Sequence, residues 1–102
     1  MILVLFSTQF RDTVDMQNYD VTSDRMNDLV RQIPGFISIK GYTSEDGEPI
    51  AIACFESEEA LEAWRYHPEH VIAQQKGRSQ FYKSYWVQVC KVIRKYEFDI
   101  DK

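Results

Sequence analysis

Two histidines three residues apart, His67 and His70, have the clearest potential for chemistry in this chain. A spacing of three can place two imidazoles on one helical face, where both reach the same metal ion. Pro68 is suited to the first turn of a helix, however, which leaves His67 at the cap and pointing elsewhere. Glu69 lies between the histidines and would point away from an ion that they share. Because a third ligand is missing, we predict no metal site.

His70 is the candidate acid–base group of the chain. One helical turn after the cap, it is expected to face a cavity between helix and sheet, where a neutral imidazole can exchange a proton near pH 7. His67 is a further catalytic candidate, and Arg78 supplies a positive charge that would favour an anionic intermediate. The same residues also fit a structural reading, in which the segment is a helix-to-helix corner and Arg78 and Glu69 bridge locally or to a partner subunit.

Aromatic residues are concentrated around these groups. Six of them lie between residues 64 and 86, and such side chains line small-molecule pockets as well as ordinary cores and dimer interfaces. We name Trp64, Tyr82 and Tyr19 as candidate substrate-binding residues. The chain has no phosphate-binding glycine-rich loop and no separate nucleotide-binding unit, so we predict no flavin, nicotinamide or other cofactor.

Composition and charge narrow the class of protein. The chain has 102 residues, 44% hydrophobic and 27% charged, which predicts a single globular domain spanning residues 1–102. Residues 63–96 carry seven Lys or Arg and one acidic residue, a charge of +6, while the whole chain carries −4. An acidic chain without a basic run is a poor nucleic-acid partner, and no apolar run is long enough for a membrane span. The two cysteines lie in strand-like segments, and we expect a cytoplasmic protein without disulfides.

The order of predicted elements is β-α-β-β-α-α-β. Apolar spacing, caps and turn residues give the following segments: a strand over 2–10, a helix capped by Thr22 or Ser23 and ended by Pro34–Gly35, strands over 36–42 and 49–55 joined at Asp46–Gly47, a helix capped by Ser57, a second short helix from Pro68 to Gly77, and a strand over 80–98.

This order predicts an α+β fold, the ferredoxin-like split βαβ arrangement with a four-stranded antiparallel sheet and helices on one face. The last predicted strand is apolar on both sides, with Tyr85, Val87 and Val89 on one and Trp86 and Cys90 on the other. Helices can cover only one face of the sheet, so we predict a homodimer in which two sheets pack face to face.

The run "IPGFISIKGYTSEDGEPIAIACFESEEALEAWRYHPEHVIAQQKGRSQFYKSYWVQVCKVIRKYEF" resembles the antibiotic biosynthesis monooxygenase family of dimeric α/β barrels. The similarity covers about two-thirds of the chain and is carried by these matches: Pro34–Gly35–Phe36, Ala60–Leu61, Ala63–Trp64–Arg65, His67–Pro68–Glu69–His70, Ala73–Gln74, Gly77–Arg78, Tyr82 and Tyr85. Phe55 stands where the most similar branch tends to have tryptophan.

The resemblance implies a dimeric barrel. Members of the family fall into three groups by activity. Some oxidise polycyclic aromatic substrates with O₂ and neither metal nor flavin, some degrade haem, and many have no established activity. The haem-degrading members use an Asn on the first strand and a haem-ligating His ten residues after the tryptophan. This chain has Ser7, Thr8 and Gln9 in the first region and Gln74 at the second position, which argues against haem.

Two functional hypotheses follow. The first is a cofactor-independent monooxygenase or related oxidoreductase acting on a small aromatic or apolar substrate, whose anion reacts with O₂ in a dry pocket. The second is a dimeric module that binds a small ligand or stress metabolite without chemistry.

Overall fold

The computed structural model describes residues 1–101 as one antiparallel sheet with helices on one of its faces. Its elements are strand β1 (Ile2–Phe10), helix α1 (Met16–Val30), strands β2 (Phe36–Thr43) and β3 (Pro49–Phe55), helices α2 (Glu58–Arg65) and α3 (Pro68–Lys76), a π-helical turn (Gly77–Phe81) and strand β4 (Tyr82–Lys91). The predicted ferredoxin-like arrangement is confirmed. No helix within the described part of the chain is long and apolar enough to span a membrane.

Strand order in the sheet is β2-β3-β1-β4, so β2 and β4 are its edges. Val4 of β1 lies between Ala53 of β3 and Val89 of β4. Because paired residues of an antiparallel sheet project to the same side, these three side chains share one face. Val4 packs with the core beneath the helices, which identifies that face as the helix-covered one. Leu3, Cys54 and Cys90 share the opposite, open face.

The core lies where α1 and α2 meet β3. Val30, Ala53, Phe55 and Ala60 are buried together, with Trp64 packed against them. Gly35 allows this close approach. Its φ of +91° is in the left-handed region, and a Cβ there would lie 2.7 Å from the Cβ of Ala60.

Helix α1 begins earlier than the sequence predicted. Its N-cap is Asp15, whose carboxylate accepts a hydrogen bond from the backbone N–H of Asn18 at 3.2 Å. The expected cap at Thr22 or Ser23 is therefore wrong. Thr22 lies inside the helix and donates its hydroxyl to the carbonyl of Asn18, a local bond that lets a threonine sit within a helix.

Three other predicted boundaries are confirmed. Ser57 caps α2 by accepting from the N–H of Ala60, and Pro68 is the first residue of α3. The β2–β3 hairpin turns at Asp46 and Gly47, where Gly47 has a φ of +89°.

The last strand is shorter than predicted. β4 ends at Lys91, and residues 92–99 continue without regular structure, so the expected strand over 80–98 is wrong at both ends. The residues before β4 form the π-helical turn. After Lys91, which pairs with the first residue of β1, the chain has no neighbouring strand of this sheet to pair with.

Candidate functional site

A cleft of about 430 Å³ opens at the end of the sheet where β2 turns into β3. This volume lies within the range of small-molecule sites. The lining comes from three strands and helix α1: Phe6, Ser7, Thr8, Tyr19, Gly41, Tyr42, Thr43, Pro49, Ile50 and Ala51. Of these, Tyr19 was predicted as a binding residue.

The cleft has a mixed lining of apolar groups and hydroxyls, with no charged side chain. Tyr19 contributes a phenol, and Thr8 and Thr43 contribute aliphatic hydroxyls. Ser7 and Tyr42 border the cleft from strand positions whose side chains project to the opposite face of the sheet. The phenol and the threonine hydroxyls can donate to or accept from a neutral polar substituent of an aromatic ligand. Sequence reasoning missed most of them, because a serine or threonine in a strand carries no signal of its own until pairing brings it beside the next strand.

Behind Tyr19 lies a cluster of aromatic rings. The ring centroid of Tyr19 is 4.7 Å from that of Phe10, 5.5 Å from Phe81 and 6.1 Å from Tyr82. Burial, and then the proximity of Tyr19, raises the pKa of the Tyr82 phenol above its usual value. The structure thus brings together two of the predicted binding residues, Tyr19 in the cleft wall and Tyr82 behind it.

The π-helical turn holds Tyr82 in place. Arg11 donates from Nε to the carbonyl of Tyr82 at 3.0 Å and from its other nitrogens to the carbonyls of Ser79 and Arg78. The carbonyls of Arg78 and Ser79 lie in the last turn of a helical segment, where carbonyls have no partner within the helix, so Arg11 satisfies them from outside. Gly77 is buried, and a Cβ at this position would lie 2.6 Å from Cε2 of Tyr82. Sequence reasoning missed Arg11, since about seventy residues separate it from its acceptors.

The other predicted residues form a second group around Trp64. The imidazole of His70 stacks on the indole of Trp64, with centroids 4.0 Å apart and planes inclined by 14°. His70 Nδ1 lies 2.9 Å from the carbonyl oxygen of Trp64. A carbonyl can only accept, so Nδ1 carries the proton and Nε2 is the unprotonated nitrogen. Burial has the largest effect on the pKa of His70 and lowers it. The hydrogen bond to the Trp64 carbonyl has a smaller effect in the opposite direction.

His67 is the N-cap of α3, as its position before Pro68 predicted. Its Nδ1 accepts a hydrogen bond from the backbone N–H of Glu69 at 3.2 Å. Glu69 in turn receives two hydrogen bonds from Arg25 of α1, both 2.9 Å long. Glu69 therefore bridges locally, to Arg25, whereas no ion pair of Arg78 is found within residues 1–101.

Neither Trp64, His67 nor His70 lines the cleft. Arg78 lies on the π-helical turn with its side chain exposed, and its carbonyl rather than its guanidinium makes the contact to Arg11. The six predicted site residues are thus divided between the Tyr19–Tyr82 pair, the Trp64–His67–His70 group and Arg78 alone. Within residues 1–101, no three His, Cys, Asp or Glu side chains are grouped as a metal site would require.

A protein of Bacillus subtilis (strain 168), the uncharacterized protein YqjZ, is 41% identical to this chain over 76 residues, which are 74% of the chain and 67% of YqjZ. The chain belongs to the same family as YqjZ. No family model matches the sequence.

Solved structures extend the comparison to the fold. Rv0793 from Mycobacterium tuberculosis matches with a TM-score of 0.76 at 20% identity, over 94% of this chain and 98% of Rv0793. A dimeric ferredoxin-like protein of unknown function from Thermobifida fusca matches with a TM-score of 0.69 at 14% sequence identity, over 89% of this chain and 90% of that protein. SnoaB, a cofactor-independent oxygenase from Streptomyces nogalater, matches with a TM-score of 0.64 at 11% sequence identity, over 92% of each chain.

The same fold occurs in an antibiotic biosynthesis monooxygenase. The resemblance read from the sequence is therefore confirmed for the fold. At these identities, the structures establish architecture and leave the reaction to be argued from the site.

Proposed function

We propose that the protein binds a small, uncharged aromatic molecule in the cleft and oxidises it with O₂ without a cofactor. The observation that carries this proposal is the cleft itself, which has the volume of a small-molecule site and a lining of rings and hydroxyls. The shared fold of SnoaB, a cofactor-independent oxygenase, supports the reaction class.

Oxygenation of this kind needs a proton acceptor and a site that stabilises the resulting substrate anion. Phenols and hydroxyls such as Tyr19 and Thr8 can donate hydrogen bonds to that anion. His70, with Nε2 unprotonated, is the proposed proton acceptor, and a substrate extending from the cleft toward α3 is needed to reach it. Arg78 on the π-helical turn and His67 at the α3 cap remain proposals for charge stabilisation.

Binding without oxidation is the second candidate. It is favoured by the uncharged lining of the cleft and by the stacking of His70 on Trp64, which is how a structural histidine is packed. In this case the cleft and its rings hold the ligand, and His70 serves the packing of α3.

Thermal shift and O₂ uptake, measured with the same quinol-type aromatic compounds, separate these candidates. We expect stabilisation by at least one compound, its loss in Tyr19→Ala, and its retention in Tyr66→Ala, the same substitution at an exposed tyrosine outside the cleft. O₂ uptake that His70→Phe abolishes supports the oxygenase, whereas stabilisation without uptake supports binding alone. Stabilisation that survives Tyr19→Ala contradicts the cleft as the site.

The homodimer is also a proposal, supported by the dimeric Thermobifida fusca protein of the same fold. The apolar residues that a partner would cover lie mainly along β4. Val87 and Val89 are 52% and 59% exposed on the helix side of the sheet, beyond the reach of the helices. On the open face, Leu3, Leu5 and Ile52 are half-buried. The interface is therefore expected to include the β4 edge as well as the open face.

A further inference from the structure

Gly41 is a glycine in the interior of strand β2 for which the fold of the chain gives no reason. The chain has four glycines, and the other three have a local cause. Gly35 and Gly47 have positive φ angles. A Cβ at Gly77 would lie 2.6 Å from Cε2 of Tyr82. Gly41 has no positive φ, and a Cβ there would meet no atom of the described chain within 4 Å.

A glycine at such a position lowers the stability of its strand. It loses more conformational freedom on folding than any other residue and has no side chain to pack. In a strand interior, glycine often marks a β-bulge or a place where a ligand or another backbone comes close. Gly41 pairs with Ala51 in a regular stretch of register, and the irregularity of this strand pair lies between Phe36 and Ser38. The remaining cause is a group that is not part of the folded chain.

Gly41 opens onto the cleft at the β2–β3 end of the sheet. It pairs with Ala51, which pairs in turn with Phe6 of β1. Phe6 is two residues from Val4, so this row of three residues faces the helix-covered side of the sheet. All three residues line the cleft. The floor therefore has no side chain on β2, a methyl group on β3 and a ring on β1.

The dimensions of this floor depend on Gly41. Neighbouring strands lie about 4.8 Å apart, so the distance across the row from Gly41 to Phe6 is about 10 Å. A single ring can rest on Ala51, between Phe6 and Gly41, whereas a wider ligand must extend over Gly41. Thr43 lies two residues further along β2, about 7 Å away, and can hydrogen-bond to an oxygen substituent of either ligand.

We propose that Gly41 determines how wide a ligand the cleft accepts. This inference rests on the proposed function, in which the cleft is the binding site, and identifies the residue that selects the ligand by size. A side chain at position 41 would occupy the floor beside Ala51 and confine the ligand to a single ring next to Phe6. Glycine keeps this space open, which accounts for its place in a strand where an alanine would meet no obstacle.

Two probes of different width test the role of Gly41. Phenol and 1-naphthol carry the same hydroxyl group and differ by one ring. Their dissociation constants are measured by titration followed in NMR spectra of the labelled protein, a method that detects weak binding. We expect the dissociation constant of 1-naphthol to rise about threefold in Gly41→Ala and about tenfold or more in Gly41→Val, because each added carbon takes space from the second ring. The constant for phenol is expected to change by less than about twofold.

Lys40→Val is the matched control. It introduces the same side chain at the preceding position of β2, which is exposed, projects to the opposite face and lies outside the cleft lining. Both probes should bind this variant as they bind the unmodified protein. Valine is favoured in strands, so the urea midpoint of Gly41→Val should be no lower than that of the unmodified protein, and unfolding would not account for a loss of affinity.

Four other results would overturn the proposal. Unchanged binding of 1-naphthol in Gly41→Val, with binding still lost in Tyr19→Ala, overturns the role of Gly41 and leaves the cleft as the site. Equal weakening of both probes overturns selection by width. Unchanged affinities with an altered sedimentation coefficient in Gly41→Val assign the space to a second copy of the chain. Failure of both probes to bind the unmodified protein overturns the proposed function together with this inference.

Discussion

At the scale of single residues, His70 combines two properties that a sequence cannot separate. Its imidazole is stacked on Trp64 and bonded through Nδ1 to a backbone carbonyl, which is a structural arrangement. The same bond leaves Nε2 unprotonated, which is what a proton acceptor requires. The motif HPEH is compatible with both roles, and only the fold shows which imidazole nitrogen is hydrogen-bonded to the backbone.

Burial lowers the pKa of His70 below 6.5, so this residue makes stability depend on pH. Above pH 6.5 His70 is neutral in both the folded and the unfolded chain, so its protonation takes nothing from the free energy of unfolding. As pH falls below 6.5, the unfolded chain binds a proton that the folded chain resists, and stability declines until the folded pKa is passed.

We expect the urea midpoint of the protein to fall between pH 7 and 5, and His70→Phe to reduce this slope because phenylalanine keeps a ring on Trp64 without titrating. Tyr66→Phe, a substitution at an exposed ring outside the His70–Trp64 contact, is the control and should keep the slope. An unchanged slope in His70→Phe would assign the pH dependence to other groups.

At the scale of elements, the sequence predicted the order of strands and helices because apolar period, caps and turn residues are local signals. It placed the start of α1 too late because Asp15 and Thr22 are both acceptable helix-start residues in the sequence, whereas in the structure Asp15 caps and Thr22 is internal. The π-helical turn was not predicted either. Its stability depends on Arg11, which is close to it only after β1 and β4 have paired.

Gly77 provides a test of that turn. A Cβ at Gly77 meets the ring of Tyr82 at 2.6 Å, so Gly77→Ala must displace Tyr82 or unwind the turn. We expect a loss of about 1–3 kcal/mol in the free energy of unfolding, together with a changed near-UV signal from the tyrosine cluster.

Gly41→Ala is the matched control for Gly77→Ala. A Cβ at Gly41 in β2 meets no atom within 4 Å, and a strand generally tolerates alanine better than glycine. Its unfolding free energy is expected to be unchanged or slightly raised. Equal effects of the two substitutions would contradict the role assigned to the Gly77–Tyr82 contact.

At the scale of the whole molecule, the apolar pattern of the last segment predicted a partner, and the structure shows where the apolar residues of this segment are exposed. The sequence suggested packing between open sheet faces, because a strand over 80–98 would have two apolar sides. The structure ends β4 at Lys91 and leaves the exposed apolar residues along the β4 edge and in the segment after it, which contains Ile93, Tyr96, Phe98 and Ile100. Pairing between chains cannot be recognised in one sequence, since the pattern of a strand is the same whether its neighbour is internal or from a second copy.

A homodimer makes thermal stability depend on protein concentration, because dissociation accompanies unfolding and dilution favours the separated chains. We expect the melting temperature to rise by several degrees for a hundredfold increase in concentration. A variant ending at Lys91 retains all four strands but lacks the exposed apolar residues that follow β4, so its melting temperature should be lower and nearly independent of concentration. Differential scanning calorimetry at two concentrations provides the measurement. A concentration-independent transition in the full chain, with the same midpoint in the shortened one, would show that the folded chain is stable alone and that its exposed β4 edge is not a dimer interface.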